Sequence, residues 1–366
     1  MRLRPGLLAA VIALLGGLVP AVAGASTLSG GAVDGPVSVA VVPTGHLAEP
    51  GNRFFQTFTS TGGPWSLSTP RGTATNGGIV ISSPADGVVA VLPYFASHVT
   101  ALQGLVAGRP GRVGAIAPAL AAEPGAMSIN PATGATAAVG SPGELLLGAR
   151  PLGRLAPRGS VRQLAATEGG RRCGFAGLAA AAVESDGTIV VGGRCTHRGW
   201  SGLLVERREG SWTPLRAPGP GSWRVIRIDP TTDGALVLAA SIARRPVLRI
   251  GVLHEGIPRW GPPLRMSGQL RSTAVTMGSA NHGSYLVALS AGGRIQPWRL
   301  AVGGPPRRVG PTLGPGVQAV VDGPTPAVTA FAVDGRAVAE LELAAGGARW
   351  VPAGRQVLPL AYGTSR

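Results

Sequence analysis

The chain has 366 residues, with 58 glycines, 33 prolines and only 4% aromatics, a composition that weighs against long packed helices and for many short strands joined by turns. Its net charge of +16 is carried by arginine alone, since no lysine occurs. Arginine in place of lysine is the mark of GC-rich coding, but that bias does not account for 33 bases against 17 acids.

At the N-terminus, Arg2 and Arg4 precede an apolar run from Leu7 to Val19, followed by Pro20 and the small-residue stretch "AVAGAS". These are the three parts of a secretory signal peptide. Cleavage is expected after Ala25, with Ala23 the alternative. The run is too short to cross ~30 Å of hydrocarbon. Gly, Pro or Arg interrupts every later apolar run, so no transmembrane span is predicted, and no cysteine stands directly after the leader's apolar run to carry acyl chains. The product is expected to be secreted, with about 340 residues left for one large all-β domain or two smaller ones.

The next elements are "VSVAVVP" (37–43), "FFQTFTS" (54–60) and "WSLSTP" (65–70), which read as the second, third and fourth strands of a unit lacking its first. Further on, apolar runs recur after turn signals: "GIVIS" (78–82), "TAAVG" (136–140), "TIVVGG" (188–193), "ALVLAA" (235–240), "YLVALS" (285–290) and "AVTAFAV" (327–333). With Val80, Ala138, Val190, Val237, Val287 and Ala330 as markers, the spacings are 58, 52, 47, 50 and 43. Trp212, Trp260, Arg308 and Trp350 mark a last strand in each unit, at spacings of 48, 48 and 42. The clearest unit has strands at 177–183, 188–193, 202–208 and 212–215.

Four antiparallel strands every 40–50 residues is the pattern of a β-propeller, in which radial packing covers sheet faces that one unit cannot bury alone. "VLPLAYG" (357–363) reads as a first strand with nothing after it, so the tail is expected to complete the N-terminal unit and close the ring. Pro359 would then border the channel, at an edge where a missing N–H is tolerated. The expected fold is a single all-β propeller over residues 26–366 with seven four-stranded blades. Six is the rival count, because residues 83–126 are irregular.

Cys173 and Cys195 are the only cysteines and bracket the inner hairpin of the clearest unit. A turn near Ser185–Asp186 sets Cys195 opposite a residue near Ala176, within reach of the ~5.5 Å Cα separation of a disulfide. In an exported chain a bridge is expected there, with free thiols or a metal pair as the alternatives.

Sorted by position in the units, the charges divide. Turns between first and second strands hold Glu184, Asp186, Asp229, Asp233 and Asp322. Loops between second and third strands hold Arg53, Arg194, Arg198, Arg244, Arg245, Arg294 and Arg336, against Glu49, Asp86, Glu144 and Asp334. The blade connections add Arg158, Arg162, Arg171, Arg172, Arg216 and Arg224 among others. One face is therefore expected to be rich in arginine, whose forks match carboxylate, sulfate and phosphate groups. An even spread of loop arginines over both faces is the alternative.

The five histidines, His46, His98, His197, His254 and His282, lack the short spacings of zinc sites, so no metal is assigned. No cofactor loop, G-x-S-x-G elbow, H-E-x-x-H or specific nucleic-acid motif occurs. "STGGPW" (60–65) and "ESDGTI" (184–189) loosely resemble the Asp-box turns of sialidase-like propellers, the first without the Asp and the second without the Trp. The resemblance implies a secreted propeller and no activity. A sialidase would need a Tyr–Glu nucleophile pair, and none of Tyr94, Tyr285 or Tyr362 has an identifiable Glu partner.

The residues favour a non-enzymatic binding module at a bacterial envelope, with Arg194, Arg198, Arg244, Arg245, Arg294 and Arg336 facing an anionic polymer or protein partner. The alternative is a glycan-active hydrolase or lyase at the channel mouth, which would show two carboxylates about 5–10 Å apart.

Overall fold

The computed structural model describes strands between residues 30 and 357. Side chains are described chiefly over 127–264, with short stretches around 296–312 and 349–352. The expected leader (1–25) and the tail beyond 357 lie outside the described residues.

The strands form antiparallel sheets in chain order. The first sheet is β1 (Gly30–Asp34), β2 (Val37–Pro43), β3 (Phe55–Thr61) and β4 (Ser66–Leu67). The second is β5 (Ile79–Ser83), β6 (Gly87–Tyr94) and β7 (Val99–Val106), with β8 (Arg109–Pro110) and β9 (Gly114–Pro118) both pairing with β7. The third is β10 (Met127–Ile129), β11 (Thr136–Gly140), β12 (Glu144–Gly148) and β13 (Ala156–Ser160).

Two short helices, α1 (Val161–Ala166) and α2 (Glu168–Cys173), lead into a nine-stranded sheet made of two groups. One group is β14 (Phe175–Val183), β15 (Ile189–Cys195), β16 (Trp200–Arg208) and β17 (Ser211–Arg216). The other is β18 (Trp223–Thr231), β19 (Gly234–Ser241) and β20 (Val247–His254), with β21 (Ile257–Trp260) and β22 (Leu264–Arg265) both on β20. One residue pair, Arg194 opposite Arg224, joins the groups. Two more sheets follow: β23 (Leu270–Ala280), β24 (Ser284–Ala291), β25 (Arg294–Ala301) and β26 (Arg307–Arg308), then β27 (Val317–Val321), β28 (Ala327–Asp334), β29 (Ala337–Ala344) and β30 (Val351–Val357).

The first strands pack in succession: β1 on β5, β5 on β10, β10 on β14, β14 on β18, β18 on β23, β23 on β27, and β27 back on β1. Antiparallel sheets arranged around a ring of inner strands are a β-propeller. The sequence pattern follows from this. A sheet between two neighbours buries both faces, so its strands read as continuous apolar runs rather than alternating ones. Along β15, Val190 packs with Leu203, Val205, Val225 and Val237 on one side, while Val191 packs with Ala137, Leu145 and Leu204 on the other. Crowding at the inner edge selects small residues. A β-carbon on Gly193 would stand 1.6 Å from the carbonyl oxygen of Gly177, so only glycine fits.

Polar groups stitch neighbouring sheets about one repeat apart. Ser128 Oγ donates to the Ala181 carbonyl at 2.7 Å and Asn130 Nδ2 to the Val183 carbonyl at 2.9 Å. Arg158 reaches Glu206 at 3.1 Å.

Two expectations need correction. The first sheet does not lack its first strand, because β1 pairs with β2 from Gly30 opposite Val41 to Asp34 opposite Val37. The ring meets as β1 against β27, and Val357 ends β30 on the far side of β29, opposite Ala337. The expected strand exchange by the tail is replaced by this strand, whose "GGAVD" is too glycine-rich to signal a strand from sequence. Second, the segment containing Val80 is a first strand and not a second one. The second strand of that sheet is β6, and Val39, Val89 and Ala138 stand 50 and 49 residues apart, which evens the marker spacing. Asp86, assigned from sequence to a second–third loop, lies outside the described residues.

Candidate arginine site

The disulfide organises the described part of the arginine face. Cys173 closes α2 and Cys195 closes β15, and their Cα atoms lie 5.3 Å apart in the bridge. Gly174 turns the chain in a left-handed conformation (φ 66°), and a β-carbon there would fall 2.1 Å from Thr196 Oγ1. The backbone N–H of Thr196 donates to the Gly174 carbonyl at 2.9 Å and that of His197 to the Cys173 carbonyl at 3.1 Å. His197 Nδ1 lies 3.1 Å from the Arg172 carbonyl oxygen. The end of α2 and the 196–199 loop are thereby one unit.

Trp200 opens β16 beside that loop and is 8% exposed. It stands opposite Arg216 of β17, whose guanidinium lies 4.4 Å from the indole centroid. The Arg172 guanidinium lies 5.4 Å from the same centroid. The quadrupole of the ring holds both cations, which are therefore within about 10 Å of each other. On the inner side, Arg194 is exposed at the end of β15, opposite Arg224, exposed at the start of β18. Arg198 is exposed in the intervening loop.

Among the described residues the ion pairs are Arg158 with Glu206 and Glu209 (3.1 and 3.6 Å) and Arg227 with Asp229 (2.7 Å). None of these involves Arg172, Arg194, Arg198, Arg216 or Arg224. Of the predicted site residues, Arg194 and Arg198 are in this locus, Arg244, Arg245 and Arg336 lie outside the described residues, and Arg294 begins β25. Sequence position assigns Arg172, Arg216 and Arg224 to this face only as blade connections and gives Trp200 no role. The pairing register that assembles them cannot be read from spacing.

At the opposite ends of these strands the described turn is acidic. Glu184 is 3% exposed, and its carboxyl is pushed up to about 7 by burial and by Asp186, against the lowering effects of His254 and the Gly256 backbone. Asp186 accepts hydrogen bonds from the Thr188 N–H and hydroxyl, both at 2.9 Å, which explains "ESDGTI" as a closed turn. Asp229 is raised by burial while the Arg227 guanidinium opposes the shift, so this turn-flanking acid has a basic partner. Among the described residues no group of three His, Cys, Asp or Glu side chains is placed to hold a metal.

The fold is shared with solved structures. A complex of KlAtg21 with the coiled-coil of AgAtg16 matches with a TM-score of 0.56 at 10% identity, over 91% of this chain and 100% of that one. A puromycin-hydrolyzing peptidase of Mycobacterium tuberculosis matches with a TM-score of 0.53 at 13% identity, over 92% and 54%. The β-propeller domain of the Trilobed protease from Pyrococcus furiosus matches with a TM-score of 0.48 at 11% identity, over 91% and 97%. The chain spans about half the length of the peptidase chains it matches. No family model and no curated protein matches the chain. These similarities include no sialidase, so the Asp-box likeness reaches no further than the fold. At such identities the chain is similar to these proteins in its β-propeller fold alone.

Proposed function

We propose that this chain is an exported, seven-bladed β-propeller that binds an anionic polymer or protein partner at a bacterial envelope, without catalysis. Its binding face carries Arg194, Arg198, Arg244, Arg245, Arg294 and Arg336. The succession of first strands from β1 through β27 supports seven blades. The leader pattern supports export, as does a disulfide, which persists in oxidising compartments. The observation that carries the binding reading is the group of arginines around Trp200 with no acidic partner among the described residues. A field of one sign steers anionic partners, and guanidinium forks hold their oxygens in pairs.

The test is retention of the purified protein on beads bearing polyphosphate, dextran sulfate or polygalacturonate. Retention is expected on at least one of them and should fall as salt rises, because exposed charges are screened beyond about 10 Å at 0.1 M salt. Replacing the six arginines together with Arg172, Arg216 and Arg224 by glutamine should abolish it. Equal retention of that variant, or none by the parent protein, would sink the reading.

A further inference from the structure

We propose that Arg194 and Arg224 form a site for one tetrahedral oxyanion, a phosphate or sulfate monoester, at the seam between the two strand groups of the nine-stranded sheet. The proposal rests on the reading of the arginine face and narrows it to a pair of which Arg224 is not one of the six residues named above.

The pair is the single ladder step between β15 and β18. Residues directly opposite in an antiparallel pair carry their Cβ atoms roughly 4.5–5.5 Å apart on the same side, and like charges so placed destabilise the pairing. Both arginines are exposed, and neither guanidinium has a hydrogen-bond or ion-pair partner among the described residues. A conflict left uncompensated at a structural join is expected where function needs it.

The backbones beneath are fixed. Arg194 adjoins Cys195, 1% exposed and bridged, and Gly193, packed against the Gly177 carbonyl. Arg224 lies between buried Trp223 and Val225, and the Trp223 indole N–H donates to the carbonyls of Gly219 and Pro220 at 3.1 and 3.3 Å. Two planar forks used in pairs present four N–H donors, which would take up every lone pair of a single carboxylate. The three free oxygens of a phosphate or sulfate ester can accept from both.

The test is calorimetric titration of phenyl phosphate and phenyl sulfate into the full-length exported protein at low salt, with R194Q and R224Q as variants. R208Q, at an exposed arginine beside the β16–β17 turn on the opposite face, is the control. At least one ester should bind the parent and R208Q alike and bind R194Q and R224Q at least tenfold more weakly, as expected for loss of charge-assisted hydrogen bonds. A phosphate site is marked by binding that weakens from pH 7.5 to 5, as the ester loses its second charge near pH 6. A sulfate site is marked by binding that does not. R224Q should also raise the urea midpoint without ligand by relieving the like-charge pair. Equal affinities in all four proteins, or no ester binding while polyanion retention persists, would overturn the site and leave the broader reading standing. Loss of polyanion retention in the parent protein as well would overturn both.

Discussion

Glu184 is a buried carboxyl whose chemistry follows from its neighbours. One of its oxygens, Oε1, is buried without a hydrogen-bond partner, and its pKa is displaced from 4.5 to about 7. In the folded chain the acid therefore holds its proton over a range in which the unfolded chain has lost it. Its contribution to stability is complete below pH 4.5 and declines as pH rises through about 7, where the buried charge must form. Glu184→Gln keeps the shape and removes the titration. The variant should match the parent near pH 4 and exceed it in urea midpoint at pH 8. A difference independent of pH between those limits would refute the assignment. At this scale the sequence was legible where residue type alone decides: two cysteines could make only one pair. It was silent on Arg224, because the bulges between Phe175 and Gly177, Leu178 and Ala180, and Val225 and Arg227 shift the register that sets Arg194 opposite it.

Among the elements, the strands of the group at 175–216 were read to within a few residues, since continuous apolar runs between turn residues have few other solutions. The apolar pattern gives no sign of the helices α1 and α2, although their caps are present. Ser160 Oγ accepts from the Gln163 N–H at 3.3 Å, Thr167 Oγ1 accepts from the Gly170 N–H at 3.0 Å, and Gly174 ends α2. The spacing of Ser160 and Gln163 is a capping-box signal, hidden in a stretch whose arginines invited a loop reading. These helices matter because α2 delivers Cys173 and Arg172 together. The bridge spans 22 residues, a loop whose closure is worth roughly 3 kcal/mol through the unfolded state. The double substitution C173S/C195S should therefore lose about 3 kcal/mol in urea unfolding. It should also release Arg172 from Trp200, read as a change in indole fluorescence. A loss below ~1 kcal/mol would show that the hydrogen bonds from Thr196 and His197 suffice to hold the unit.

At the scale of the whole molecule, a period near 48 was visible because every sheet meets the same constraint, two faces covered by neighbours. How the ring closes was not visible, because closure depends on one short strand with two glycines among its five residues. A strand of that composition is held by pairing rather than by propensity. Each of its residues from Gly30 to Asp34 has a partner in β2, and it packs on both β5 and β27. Removing it would expose the edge of β2 and the flanks of two other inner strands at once. Deletion of residues 30–34 should therefore abolish the cooperative unfolding transition of the entire ring. Deletion of residues 358–366 tests the other closure, in which the tail supplies that edge. With β1 already on β2, the shortened protein should retain the parent's urea midpoint within about 1 kcal/mol. The reverse outcome, collapse on losing the tail and tolerance of losing β1, would mean that the ring is sealed by strand exchange after all.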